Sequence, residues 1–374
     1  MIRRPPRSTQ GVSSAASDVY KRQGVDTIFG IISVHTLDLY DSLFHQQDHI
    51  RFIGGRVELG CGFMADGYSR ATGKPGVLLT STGPGAADSM GALGEAYFSS
   101  SAVLEITTNV EQEFINSGRL PTHETKDQLK MFESVTDWNA SIGQVESIPD
   151  HIVEAFQRFQ TRRPRPIELE IPTDLLGAEA DVEVLGPRDP EIPQGDSASV
   201  ERTLEMLLNA RRPVIVVGEE VQYHGGTEEI IQLAERLGAP VVTLDGAKGV
   251  FPENHPLSLG QAMGRRIWGE NPVQDWLSTC DVVLVLGSIL PLRSTTGVGL
   301  KLPDTVIHVL LDGDAIGKNY ATGIPITADS RAVARQLLDG MAGMDVYKGD
   351  TFKNEITSVS YTHLRAHETR HDLV

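Results

Sequence analysis

The residues of this sequence whose types suggest chemistry lie in loops after short β-rich runs or at the start of a helical stretch. Glu58 opens a helical stretch, Val57–Thr72, and the turn Gly83-Pro84-Gly85 follows the run Gly76–Thr82. Ser33 and His35 follow the run Thr27–Ile32, and the polar segment His123-Glu124-Thr125-Lys126-Asp127-Gln128 follows Ala102–Thr108. A carboxylate at a helix start can handle a proton, or it can simply stabilise the helix dipole. A Gly-Pro-Gly turn lets the backbone approach a flat ligand because glycine has no Cβ, although such turns are common. Loops at the carboxyl ends of parallel strands are where α/β proteins place ligands. The plain alternative for His35 is a helix cap or an exposed ring, and for His123 and Gln128 a surface loop.

Two further patterns mislead. His367-Glu368-Thr369-Arg370-His371, extended by His363, matches the zinc-protease spacing in which two histidines one helical turn apart hold the metal. That pattern needs an apolar helix face, which this segment lacks, so no metal site is expected. Gly67 to Gly73-Lys74 resembles a phosphate-binding loop but has five intervening residues instead of four, and then Pro75 instead of Ser or Thr.

The elements that must position these residues alternate strand and helix. Thr27–Ile32, Gly76–Thr82, Ala102–Thr108 and Pro166–Ile171 read as buried strands. His35–His45, Val57–Thr72, Gly91–Ser99 and Pro149–Arg162 read as helices. Residues 177–199 break the rhythm with Pro, Gly and acid, and read as a linker. Strands Pro213–Val217, Pro240–Thr243, Asp281–Leu286 and Thr305–Leu311, with helices Gly226–Leu237 and Ser330–Met341, then resume it. The fold class is therefore α/β, with two doubly wound parallel-sheet domains.

Composition limits the functions open to these 374 residues. Apolar residues at 40% and charged residues at 22% allow real cores. No run of eighteen apolar residues occurs, so no membrane-spanning helix is expected. A net charge of −17, from 33 basic and 50 acidic residues, repels phosphate backbones and excludes nucleic acid as a partner. Two cysteines, Cys61 and Cys280, cannot build a disulfide framework and fit the reducing cytoplasm. Residues 1–23, basic and Ser-rich, and the stretch from Val359 resemble translated sequencing-adapter DNA. The expected domains are thus 24–176, a linker at 177–199, and 200–342. Residues 1–23 would be a non-native extension and 343–374 a largely non-native tail.

Three features of the first domain occur in order: the loop Gly30-Ile31-Ile32-Ser33-Val34-His35, Glu58 within GGRVELGCGFMADGYSRATGKPGV (54–77), and Ser81-Thr82-Gly83-Pro84-Gly85-Ala86-Ala87-Asp88. Together they resemble the pyrimidine-binding domain of thiamine diphosphate enzymes, the superfamily of acetolactate synthases and 2-oxo-acid decarboxylases. Arg212-Pro213-Val214-Ile215, the segment Lys248–Leu257 and Ile307–Asp312 resemble the Rossmann-like central domain of the same enzymes. The resemblance covers about residues 24–342. A third, pyrophosphate-binding domain, marked in the family by a Gly-Asp-Gly, has no counterpart here, so the chain reads as an inactive fragment of such an enzyme.

The resemblance implies a 2-oxo acid substrate and a thiamine diphosphate held with Mg²⁺, the metal and diphosphate ligands lying on the absent domain. It implies a homodimer or homotetramer, and a reaction of decarboxylation followed by carboligation as in branched-chain amino acid biosynthesis. Simple decarboxylation and non-catalytic cofactor binding are the alternatives. Glu58 matches the glutamate that shares a proton with the pyrimidine N1′, and Gly83, Pro84, Gly85 and Asp88 match the cofactor turn, with Asp88 where many relatives carry Asn. Ser33 and His35 become substrate candidates, although the family commonly has Pro-Gly at Ile32-Ser33. His123 and Gln128 become candidates because their segment stands where acetolactate synthases usually show Phe-Gln-Glu, and it resembles decarboxylases of basic 2-oxo acids more closely. FAD is a further possible cofactor, through Gly287, Arg293 and Asp312. Against it, Val217-Gly218-Glu219-Glu220 puts two carboxylates where a diphosphate would lie.

Overall fold

A computed structural model describes residues 7–8, 19–178, 180, 182–183, 185–262, 272–292, 299–345, 352 and 354–359. The chain forms two compact units, residues 1–160 with 164–190, and residues 161–163 with 191–374. Each is built on one six-stranded sheet whose neighbouring strands are all parallel. No helix among the described residues is long and apolar enough to cross a membrane.

In the first unit a two-residue strand β1 (Arg7–Ser8) pairs antiparallel with Val182–Glu183 (β8). The main sheet contains β2 (Thr27–Gly30), β3 (Arg51–Gly54), β4 (Gly76–Thr80), β5 (Val103–Asn109), β6 (Trp138–Ser141) and β7 (Ile167–Pro172). Their order across the sheet is β3-β2-β4-β5-β7-β6. The four strands expected from sequence are the inner ones, buried at every position. The two not foreseen, β3 and β6, are edge strands with half-exposed residues, which show no continuous apolar run. The helices of five or more residues are α1 (Leu37–His45), α2 (Glu58–Thr72), α3 (Pro84–Phe98), α4 (Gln128–Phe132) and α5 (Ile148–Thr161). Helix α2 stops at Gly73 in the left-handed region, φ 69°, as Thr-Gly-Lys-Pro demands. Helix α3 begins at Pro84, seven residues before the expected Gly91, because proline suits the first helical position.

The second unit contains β9 (Pro213–Val217), β10 (Val241–Thr243), β11 (Ser258–Gln261), β12 (Val282–Leu286), β13 (Val306–Leu310) and β14 (Ile324–Thr327), in the order β11-β10-β9-β12-β13-β14. Its helices are α6 (Ser197–Asn209), α7 (Glu220–His224), α8 (Thr227–Leu237), α9 (Pro272–Leu277) and α10 (Ser330–Gly340). Alternate residues of each strand feed separate cores. Ile215, Val217, Leu284 and Leu286 pack with Leu233 and Leu337, whereas Val214, Val216, Val283 and Val285 pack with Trp276 and Leu277. That alternation is how a parallel sheet covered on both faces is buried. Helix α6 starts at Ser197, inside the stretch read as linker, because the Asp196 side chain accepts from the Ser199 N–H at 2.9 Å and caps it.

A part of each end placed outside the two expected domains is packed into a unit. Residues 19–22 are helical, and Val19 and Tyr20 are buried in the first unit, where the Tyr20 carbonyl accepts from the Val25 N–H. A basic composition does not keep an apolar pair out of a core. Residues 354–359 are also helical, and Phe352 and Ile356 join the second unit's core beside Trp276. Glu355 accepts from the Arg212 guanidinium at 2.7 Å and from the Trp276 indole at 3.1 Å. His363, His367, Glu368 and His371 lie outside the described residues, as does Arg293.

Candidate functional site

In the first unit β3 lies on one side of β2 and β4 on the other, so the winding of the chain reverses between β2 and β4. A crevice outside the carboxyl ends of the strands at such a point is the usual ligand position. Four loops meet there, after β2, β3, β4 and β5. Glu58, half-buried as the first residue of α2, comes from the loop after β3. Its carboxylate rests against the Gly-Pro-Gly turn. A Cβ added to Gly85 would stand 3.1 Å from Glu58 Oε1 and 3.0 Å from the Ser81 Cβ. Gly83 caps α3 at φ 61°, and a Cβ there would collide with the His123 carbonyl oxygen. Glycine is required at Gly83 by both conformation and space, whereas at Gly85 an added Cβ would press on the Glu58 carboxylate. Asp88 stands one turn along α3 from Gly85 and is exposed.

The loops after β2 and β5 bring His35 and His123 together, with ring centroids 5.2 Å apart. His123 itself adopts φ 73°, an uncommon backbone for a residue with a side chain. Burial, reinforced by His123, pushes the His35 imidazolium toward losing its proton, so its pKa lies below the ordinary value. The His35 Nδ1 and the Ser81 Oγ are both buried without a hydrogen-bond partner. Ser33 has a different occupation. Its N–H donates to Thr36 Oγ1 at 2.9 Å, and its hydroxyl lies 3.1 Å from the same atom. Ser33 therefore caps the turn leading into α1, the role that sequence offered to His35.

Gln128 corrects the expectation of a side chain facing substrate. It is buried, and both ends of its amide are engaged: Oε1 accepts from the Gly83 N–H at 2.7 Å, and Nε2 donates to the Thr108 carbonyl at 2.9 Å. Beneath the site lie three glutamates that sequence did not single out. Glu105 accepts from the Ser89 and Thr80 hydroxyls, yet burial pushes its pKa up to about 8. Burial likewise raises Glu168, which accepts from Thr107, and Glu170, which accepts from Ser141 at 2.8 Å. The available signal was charge at alternate positions inside otherwise apolar runs, Glu105 in β5 and Glu168 and Glu170 in β7. Hydrogen bonds offset the cost of carboxyls on inner strands, although Glu168 Oε2 is buried without a partner.

The second unit has its own reversal point, between β9 and β12. Gly287, one of the FAD candidates, follows β12 at φ 73°, and Asp312 precedes the single turn Gly313–Ala315 after β13. The crevice is filled from within. The N–H groups of Gly218, Glu220 and Gly287 donate to the carbonyls of Leu286, Gly287 and Val309. Glu220 itself is buried, with Oε2 accepting from the Leu311 N–H and a pKa pushed up to about 8 by burial. A diphosphate needs free amides, and those of Gly218, Glu220 and Gly287 are taken. Although the Arg163 guanidinium lies 4.0 Å from Asp312, the buried Glu220 occupies the turn, so the described residues do not favour FAD there. Among the described residues no cluster of three His, Cys, Asp or Glu could hold a metal.

Comparison with known proteins agrees with both units. Residues 11–131 match the N-terminal TPP-binding domain of thiamine pyrophosphate enzymes, and residues 200–337 match the central domain of thiamine pyrophosphate enzymes. Among similar proteins, a probable acetolactate synthase large subunit of Methanocaldococcus jannaschii is 31% identical over 342 residues, covering 89% of this chain and 56% of that protein. A probable 2-ketoarginine decarboxylase of Pseudomonas aeruginosa is 33% identical over 335 residues, covering 89% of this chain and 58% of that protein. An acetolactate synthase of Arthrospira platensis is 31% identical, over 87% of this chain and 57% of its own. The chain thus spans little more than half the length of these relatives.

Proposed function

We propose that this chain, which belongs to the thiamine pyrophosphate enzyme family, carries the pyrimidine-binding side of an enzyme acting on 2-oxo acids. The observation that carries this reading is the Glu58 carboxylate resting against Gly85, in a cradle that any Cβ would fill. The unpartnered Ser81 Oγ and His35 Nδ1 add polar atoms at the same crevice. Thiamine diphosphate fits such a place. When bound it supplies a carbon acid and an electron sink for 2-oxo acids.

Glu58 would hold the proton at the pyrimidine nitrogen, and Gly83 and Gly85 would let the ring lie against backbone. His35 and His123, kept close and drawn toward the neutral form at His35, would meet the substrate from the opposite loops. Mg²⁺ and the diphosphate would be held by residues other than those described. Exposed apolar residues ring the crevice, Ile32, Val34, Val57 and Leu59 among them, and a second copy of the enzyme covering them would shut out water. Carboligation of the acetolactate synthase kind is the reaction favoured by most of the relatives. Plain decarboxylation is the second reading, favoured by the His123-Glu124 pair and by the Pseudomonas relative.

Deuterium exchange at the cofactor's C2 position isolates the role of Glu58 from substrate binding. Glu58→Gln is expected to slow that exchange on the order of 10²–10⁴-fold while cofactor affinity changes far less. An unchanged rate would take Glu58 out of the chemistry.

A further inference from the structure

Gln128 opens α4, and its amide orientation is dictated by its neighbours. The Gly83 N–H can only donate, so the side-chain oxygen must face it, at 2.7 Å. The Thr108 carbonyl can only accept, so Nε2 must face the other way, at 2.9 Å, with Glu170 Oε2 at 3.1 Å and Thr107 Oγ1 at 3.3 Å. The amide therefore spans from the carboxyl ends of β5 and β7 to the turn after β4. The same loop presses the His123 carbonyl against the α-carbon of Gly83 from another side.

We infer that Gln128 is a positioning residue, a strut that fixes the Gly83–Gly85 turn against Glu58 and locks His123 to the same turn. A simple core-filling role would be met by any side chain of similar volume. Leucine there would leave the Gly83 N–H, the Thr108 carbonyl and Glu170 without their partner, all in a buried place. The turn would then be free to shift, and with it the wall that Gly85 presents to the Glu58 carboxylate. The strut itself is independent of any ligand. Its consequence for the cofactor rests on the thiamine diphosphate reading given above.

Amide hydrogen exchange on the ligand-free chain reads the strut directly. In Gln128→Leu, exchange at the Gly83 N–H is expected to rise by about tenfold or more. The Gly76 N–H, which donates to the Ala102 carbonyl at the other end of β4, serves as the internal control and should stay protected. Equal protection of Gly83 in wild type and variant overturns the inference.

Gln128→Glu keeps the acceptor and covers the case in which the leucine variant fails to fold. Glu170 across the sheet and Asp127 beside it are carboxyls, so the new acid is expected to be neutral and able to donate at low pH. Ionisation toward pH 9 would set a carboxylate against Glu170 and the Thr108 carbonyl and push the side chain off the turn. The Gly83 protection factor, taken relative to the free-peptide rate at each pH, should therefore fall from pH 5 to pH 9, whereas the wild-type factor should not fall in this way. Protection of Gly83 in Gln128→Glu that does not vary with pH counts against the donor half of the strut.

The consequence for the cofactor is read separately, as C2 exchange in the loaded enzyme, where Gln128→Leu should slow it. Faster Gly83 exchange with unchanged C2 exchange overturns the positioning role. The cofactor reading itself fails by a different result, an unaltered C2 rate in Glu58→Gln.

Discussion

The two units present the same parallel architecture with a reversal point near the middle of the sheet, yet their crevices differ in what fills them. In the first, the turn amide of Gly83 is held by a side chain, and the glutamate at the edge is only half-buried, against glycine. In the second, the turn amides are consumed by neighbouring backbone carbonyls, and Glu220 is buried where a ligand would enter. The fold supplies a place for a ligand twice, and side chains decide which place stays open. The contrast is between a half-buried glutamate at the edge of a crevice and a buried glutamate that fills one.

The largest expected effect separates these two glutamates by function. Glu58→Gln should slow C2 exchange on the order of 10²–10⁴-fold, whereas Glu220→Gln should leave it within about twofold. Equal losses in the two variants would mean that the second crevice takes part in the chemistry, and the comparison would break.

Glycine substitutions sharpen the same contrast by splitting stability from activity. A Cβ at Gly218 would collide with the Ser288 side chain and the Gly287 carbonyl, so Gly218→Ala should destabilise the fold on the order of 3 kcal/mol. At Gly85 the nearest atoms, the Glu58 carboxylate and the Ser81 side chain, can give way by tenths of an ångström. Gly85→Ala should therefore change stability by less than about 1 kcal/mol while displacing Glu58 and lowering turnover. Denaturant midpoints alongside C2 exchange check the pair. A Gly85→Ala variant with full activity would show that the cradle is not where the ring lies.

A smaller effect lies in pH dependence. Glu105 and Glu220 each have a folded pKa of about 8 because burial disfavours the charge. An unfolded glutamate ionises near pH 4.3, so between that value and about 8 the folded state holds more protons. Stability from these groups is complete below pH 4.3 and is lost as pH rises through 8. Glu220→Gln keeps an acceptor for the Leu311 N–H and should raise the melting temperature at pH 9 relative to wild type, losing that advantage at pH 5. Glu105→Gln should gain less at pH 9, because one carbonyl oxygen cannot serve both Ser89 and Thr80 as well as a carboxyl does. A wild-type melting temperature that is flat from pH 5 to 9 would refute both assignments.

Much of this was legible in the sequence. Apolar β-branched runs marked the inner strands, and the family resemblance, rather than residue type or spacing alone, singled out Glu58 and the Gly-Pro-Gly turn. The edge strands β3 and β6 were not, because half-exposed strands lack a continuous apolar signal. The engagement of Gln128 was hidden for another reason. Its partners, Gly83, Thr108 and Glu170, lie 45, 20 and 42 residues away in sequence, and only the strand order brings them together. The engagement of Ser33, read as a substrate candidate together with His35, was hidden because nothing in the sequence marks Thr36 as the partner of its N–H and hydroxyl.

The smallest predicted effect concerns the string that made the resemblance most specific, Ala65-Asp66-Gly67-Tyr68-Ser69-Arg70 through Lys74-Pro75-Gly76. In the structure it is scaffold. Arg70 pairs with Asp66 at 2.7 Å, and Tyr68 and Lys74 both donate to Asp26 at the start of β2, Lys74 at 2.7 Å. Lys74, with Tyr68 after it, holds the Asp26 carboxyl down at about 2. A lowered carboxyl adds stability above its unfolded value, near pH 3.9, and loses it as pH falls through 2. Because both partners of the ion pair are about half-exposed, solvent screens most of that gain, and Lys74→Ala should cost no more than about 1 kcal/mol at neutral pH, less in 1 M salt. C2 exchange should be unchanged, since Lys74 closes the far end of α2 from Glu58. A Lys74→Ala variant that folds normally but exchanges C2 more slowly would move this string from scaffold to site and erase the line drawn between the two.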